Sequence, residues 1–146
     1  MNPTNFSDLE VLTLTIFGEA RGEPIEGQVA VGAVIRNRLH SNPTRYTSYK
    51  DVCLERNQFS CWNTNDPNRN VLDEYGQKMM LGQVINDPYF RQCQLIAHGI
   101  INWTIQDNTK SALYYMTTKL FENGRPDWAT RASNLITKGN HTFFNV

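Results

Sequence analysis

The stretch Val29-Ala-Val-Gly-Ala-Val-Ile35 is apolar almost all the way round when wound as a helix, and a helix without a polar face has to be enclosed by the rest of the chain. It is far too short to cross a bilayer, which takes ~20 apolar residues. The helix reads as running from about Pro24 to Leu39, with Pro24 at its first position and Glu26 in a first turn that favours negative charge. Ahead of it, Ser7-Asp-Leu-Glu10 has the form of a capping box. Leu9, Leu12, Ile16 and Ala20 then make one apolar stripe at helical spacing, closed by Gly22 and Pro24. Asp87-Pro88 caps a third helix, Phe90 to Trp103, whose Leu95, Ile96 and Ile100 are expected to pack on the second.

From Ser41 to about Tyr75 the chain is rich in Asn, Asp, Pro, Ser and Thr, and reads as long functional loops. Ala112 to Met116 and His141 to Phe144 are short strand-like runs, separated by a Gly-Arg-Pro turn at 124 to 126. The expectation is an α+β fold, mainly α, with a small β-sheet and loops along one side. At 146 residues the chain suits one domain, 1–146, and is expected to work as a monomer.

Lysine plus arginine and aspartate plus glutamate number 14 each, so no basic excess exists to neutralise phosphates, and nucleic acid is not the expected partner. The first ten residues show no basic segment followed by a secretory apolar core, which points to synthesis in the cytoplasm without a membrane anchor. Cys53, Cys61 and Cys93 are an odd set without CxxC spacing, which argues against a disulfide framework and a zinc ribbon. His40, His98 and His141 are far apart, with no metal-ligand spacing around them. No metal or cofactor is expected.

Glu19 follows Leu12 and Ile16 at the edge of the apolar stripe, which places its carboxylate half inside the fold. A carboxyl buried without a cation keeps its proton to higher pH and can donate it to a glycosidic oxygen. The alternative, a surface glutamate paired with Arg21 or Arg36, fits the same residues. Glu23 stands at the cap position before Pro24; if it faced a substrate together with Glu19, the two would be the paired carboxylates of a glycoside hydrolase. Gln58-Phe59-Ser60-Cys61-Trp62 joins amide, hydroxyl and large rings in one loop. Such a set can cover a sugar ring and bond its substituents, or tuck the loop onto the core. Tyr114 and Tyr115 should point to opposite faces of a strand, one to the core and one to a cleft.

The run Ile16-Phe-Gly-Glu-Ala-Arg-Gly-Glu-Pro-Ile-Glu-Gly-Gln-Val-Ala-Val-Gly-Ala-Val-Ile-Arg-Asn-Arg38 resembles the signature of SleB-type cell-wall hydrolases, a family that includes spore-cortex-lytic enzymes and phage endolysins. Gln58-Phe59-Ser60 is similar to that family's Q-F-S segment, Ser111 to Tyr115 to its A-L-Y-F segment, and Gly139 to Phe144 to its closing G-N-H-x-F-Y. The chain departs at Met116, Thr117 and Thr118, where spore enzymes have a Y-N-P-like segment, and at Phe144, where they end in tyrosine. The resemblance implies a lysozyme-like domain that cuts peptidoglycan glycan strands between N-acetylmuramic acid and N-acetylglucosamine. Glu19 would be its general acid and base, in a lytic transglycosylase that leaves 1,6-anhydro-muramic ends. Gln58, Phe59, Ser60, Trp62, Tyr114, Tyr115 and His141 are the expected substrate contacts. Alternatives are a muramidase using Glu19 and Glu23 with water, a glycan-binding protein without catalysis, and, least supported, a zinc or cysteine amidase. The expected setting is that of an endolysin, made in a host bacterial cytoplasm and released to the wall by a holin.

Overall fold

The computed structural model describes residues 2–146. The chain runs through α1 (Asp8–Ala20), α2 (Ile25–Ser41), α3 (Tyr49–Cys53), α4 (Arg69–Met80), α5 (Pro88–Ile101), β1 (Tyr114–Thr117), α6 (Thr118–Gly124), β2 (Ser133–Lys138) and β3 (His141–Asn145). The helical bulk and small antiparallel sheet match the α+β expectation, with sheet order β1-β3-β2.

The Ser7 capping box forms as expected: its hydroxyl accepts from Glu10 N, and the Glu10 carboxylate accepts from Ser7 N at 2.7 Å. Burial goes further than the stripe predicts. Every residue from Val11 to Phe17 is buried, because α5, α3, α2 and α4 all pack around α1. Of its two buried threonines, Thr15 donates its hydroxyl to Val11 O at 2.7 Å and accepts the Trp62 indole N–H at 2.9 Å, whereas the Thr13 hydroxyl has no hydrogen-bond partner among the described residues. The α2 run Ala30–Ile35 is buried as expected. Gly32 gives α2 its close approach, since a Cβ there would lie 2.9 Å from Ile100 Cγ1 and 3.2 Å from Ile16 Cδ1.

The segment read as loops, 41 to 75, contains α3 and the first half of α4. Ser48-Tyr-Lys-Asp51 is itself a cap, with the Ser48 hydroxyl accepting from Asp51 N at 3.1 Å. In α4, Val71, Leu72, Tyr75 and Met79 supply a helical apolar stripe against the core, hidden in sequence by the polar residues between them. The third helix packs on α1 as well as α2, and of its three expected core residues Leu95 is exposed. Between the two anticipated strands lie α6 and β2, and β2 forms a hairpin with β3.

Arg36 ties α2 to the end of α5. Its guanidinium is buried and donates to Ile100 O at 3.0 Å and Ile105 O at 2.9 Å, under the Trp103 ring at 4.1 Å. These are carbonyls at and beyond a helix C-terminus, where a cation is favoured. Replacing Arg36 by Met strands both carbonyls, so the expected loss is ~3 kcal/mol of unfolding free energy, measured by urea titration.

Candidate active site

Glu19 occupies the last turn of α1, where the helix leaves the core, and is half-buried. Neither candidate cation pairs with it. Arg21 turns to Asn68 Oδ1 at 2.7 Å, and Arg36 is committed to its two carbonyls. The donors that do reach the carboxylate come from the sheet and from the loop after α3. The Tyr115 hydroxyl on β1 donates to Glu19 Oε1 at 3.1 Å, and the Cys61 thiol and backbone N–H also favour the anion. Gly18 admits Cys61: a Cβ at position 18 would lie 2.7 Å from Cys61 Cβ and 2.9 Å from its Sγ. Burial nevertheless prevails, with Asp66 adding a like charge, and the Glu19 pKa is raised above the ordinary carboxylate value. Desolvation thus favours its protonated form, and a phenol aims it.

Glu23 has the opposite environment. Its carboxylate accepts from Asn140 N at 2.7 Å and Asn140 Nδ2 at 2.9 Å, and lies 3.2 Å from His141 Nδ1. Burial opposes the charge, but the Asn140 and His141 contacts outweigh it and hold the pKa below the ordinary value. The contact requires Gly139, at φ +59°, because a Cβ there would stand 2.6 Å from Glu23 Oε1. Glu23 thus binds the β2–β3 turn to the α1–α2 corner. Its carboxylate already accepts two hydrogen bonds from Asn140, one on each oxygen, which argues against the alternative of a second catalytic carboxylate.

The sheet so anchored carries Tyr115. Its ring packs edge-on to His141 at 5.2 Å and stacks on Phe143 at 5.3 Å, both on β3. His141, expected as a substrate contact, therefore backs the phenol that holds Glu19. Tyr114 packs on different neighbours, stacked with Phe144 at 5.9 Å and beside Trp128 at 5.5 Å, yet both tyrosines reach the same cavity, where the expectation places one of them in the core. A cavity of ≈ 590 Å³ opens along this edge, lined by Arg38, Gln58, Tyr114, Tyr115 and Trp128. Gln58 and Ser60 are exposed, while Phe59 and Trp62 are buried in the core. The loop's rings thus take the tucked position, and the exposed ring at the cleft is Trp128, 54% exposed. Sequence reading missed Trp128; an isolated tryptophan after the Gly-Arg-Pro turn was its only signal. Among the described residues, no group of three or more His, Cys, Asp or Glu side chains could hold a metal ion.

Glu23→Gln leaves an amide nitrogen facing Asn140 Nδ2 and removes the negative charge beside His141. The expected cost is ~1 kcal/mol, read as a lower melting temperature at neutral pH. The sign with pH follows from the lowered pKa. The Glu23 contribution is present above the ordinary carboxylate value and is lost as pH falls through the folded value. The gap between wild type and variant should close on acidification, and a constant gap would count against the clamp.

Known proteins resemble this chain across most of its length. The Cell Wall Hydrolase family model matches residues 22–144, beginning just after Glu19. The spore cortex-lytic enzyme of Bacillus subtilis is 32% identical over 97% of this chain and 39% of its own length. That of Oceanobacillus iheyensis is 31% identical over 94% of this chain and 41% of its own length. The chain thus spans about two fifths of these relatives. The catalytic domain of the germination-specific lytic transglycosylase SleB from Bacillus anthracis superposes with a TM-score of 0.62 at 26% identity, covering 99% of this chain and 100% of that one. The catalytic domain of the Bacillus cereus SleB protein gives 0.66 at 25% identity, covering 98% and 94%. The fold is lysozyme-like, and the chain belongs to the SleB-type cell wall hydrolase family.

Proposed function

We propose that residues 1–146 form one catalytic domain that cleaves the β-1,4 bond between N-acetylmuramic acid and N-acetylglucosamine in peptidoglycan, as a lytic transglycosylase with Glu19 as general acid and base. The observation that carries the reading is the state of Glu19: a desolvated carboxyl with no cation partner among the described residues, bonded by Tyr115, which itself lines the cleft. The protonated Glu19 donates to the glycosidic oxygen as the bond to the muramic anomeric carbon breaks. The resulting carboxylate, held by Tyr115, then takes the proton of the muramic 6-hydroxyl as that oxygen bonds to the anomeric carbon and closes the 1,6-anhydro ring. One carboxyl serves both steps. Trp128 and Tyr114 offer aromatic faces for the sugar, and Gln58 and Ser60 offer polar groups for its acetamido and hydroxyl substituents. The cellular setting we propose, a phage endolysin released by a holin, rests on the resemblance alone; the relatives named above are spore enzymes.

Glu19→Gln keeps size and fold but has no proton to give, so clearing of purified sacculi should fall by ~10³-fold or more. Activity near wild type would sink the assignment. Because the working acid is the protonated form with a raised pKa, the rate should fall as pH climbs through that value. Tyr115→Phe removes a donor that favours the anion, so the alkaline limb should move to higher pH while the maximal rate drops. An unmoved limb would separate Tyr115 from the acid.

Product analysis decides the nucleophile. Mass spectrometry of digested sacculi should find 1,6-anhydro-muramic ends, insensitive to borohydride and unaffected by EDTA in the digest. Reducing ends would show attack by water instead.

A further inference from the structure

The glycan cleft does not end at Tyr114. Arg38, Gln58 and Tyr114 also line a second cavity of ≈ 200 Å³, which adds Arg45 and Tyr46. The lining of this cavity includes two arginines and no carboxylate. Arg38 is held in place rather than neutralised: its Nε donates to Leu113 O at 2.7 Å and its Nη1 to Gln58 Oε1 at 3.2 Å, and no acidic side chain pairs with it among the described residues. Arg45 pairs with Glu55, which the Tyr46 hydroxyl also bonds, so one negative charge is set against two positive ones. Both guanidiniums lie near enough to act on Tyr46 and Glu55, so their fields overlap. Beyond Arg45 and Tyr46 the surface opens into a third cavity of ≈ 630 Å³, lined by Lys50 and by the carboxylates of Asp51 and Glu55, so the anion-binding part is the Arg38–Arg45 cavity itself.

Charge-neutral glycan has no use for such a place. An arginine fixed by neutral acceptors, with donors left over and no anion supplied by the protein, is matched by a carboxylate. In peptidoglycan the carboxylates are carried by the peptide that branches from the muramic lactyl group. The room beyond Arg45 favours a peptide of several residues over the lactyl carboxylate itself. Resting on the function proposed above, we propose that the Arg38–Arg45 cavity seats a carboxylate of the stem peptide, so that the protein reads the peptide beside the glycan it cuts.

Arg45 is more than half exposed and lies outside the glycan cleft, so its replacement should not disturb folding. On solubilised strands that keep their stem peptides, Arg45→Gln should raise KM by ~5-fold with kcat unchanged, and Arg45→Glu should raise it further. On strands stripped of peptide by an amidase, both variants should match wild type. Equal changes on both substrates, or none on either, would overturn the inference. A titration needing no catalysis separates it from the reading of Glu19. A soluble stem tetrapeptide should bind the Glu19→Gln protein and bind the Arg45→Glu, Glu19→Gln double variant several-fold more weakly. If the peptide fails to bind while wild type still cuts glycan, the peptide site falls and the function stands. If the peptide binds but wild type leaves glycan intact, the function falls and the site stands.

Discussion

A carboxylate taken out of water, without a cation among the described residues, governs how this fold is put together. An isolated ionised carboxylate in the interior is costly, so it either takes up a proton or gathers hydrogen-bond donors. Glu19 does both. Its helix supplies no donor, because side chains of the preceding turn are packed in the core and Arg21 is turned away to Asn68. The donors therefore come from elements distant in sequence, and both have to be held against α1. Gly18 solves half the problem by removing the Cβ that would keep Cys61 away. The Trp62 indole bonded to Thr15 fixes the same turn one helical step earlier.

The sheet solves the other half. Tyr115 can reach Glu19 only if β1 lies across the end of α1, and β1 is placed by β3 through the Tyr115↔Phe143 register. β3 is in turn joined to the α1–α2 corner by Glu23 through Asn140 and His141. Two glutamates at the two ends of one corner thus divide the labour: burial raises the pKa of one, while hydrogen bonding lowers that of the other, which locks the sheet that serves the first. Two of the departures from the family pattern, at 116 and 144, fall behind this arrangement. Met116 and Phe144 are buried with Phe121 and Ala129 in a small core on the far side of the sheet. Loss of a tyrosine hydroxyl at 144 therefore changes packing on that side.

How much of this was legible depends on how far the governing contact reaches. The caps of α1 and α5, the enclosed α2 and the edge position of Glu19 follow from residues a turn apart, and the one-dimensional pattern carries them. Helix α4 was obscured because its apolar residues are diluted by charged and amide neighbours, and it becomes stable only against α1, as short helices do. Strand β2, Ser-Asn-Leu-Ile-Thr-Lys, is largely exposed and lacks a buried alternation to announce it. The roles of Phe59, Trp62 and Trp128 were not readable at all. Whether an aromatic fills a core or faces a cleft is decided by partners such as Thr15, 47 positions away from Trp62.

The commitment of Glu23 also bears on the chemistry a single acid can support. A hydrolase must bring a water molecule to the anomeric carbon and deprotonate it there, which in the paired-carboxylate design falls to a second, free carboxylate across the bond. Here the nearby candidate is held by the sheet turn and cannot turn toward a substrate without giving up its two bonds from Asn140 and its contact with His141. An intramolecular nucleophile removes that requirement. The muramic 6-hydroxyl belongs to the sugar under attack, so proximity and orientation come with the substrate, and such tethering can replace much of what a positioned water and base would supply. The remaining need is one group able to give a proton and then accept one from a nearby oxygen. A half-buried carboxyl, raised in pKa by desolvation yet supported as an anion by a phenol, meets that need in both protonation states.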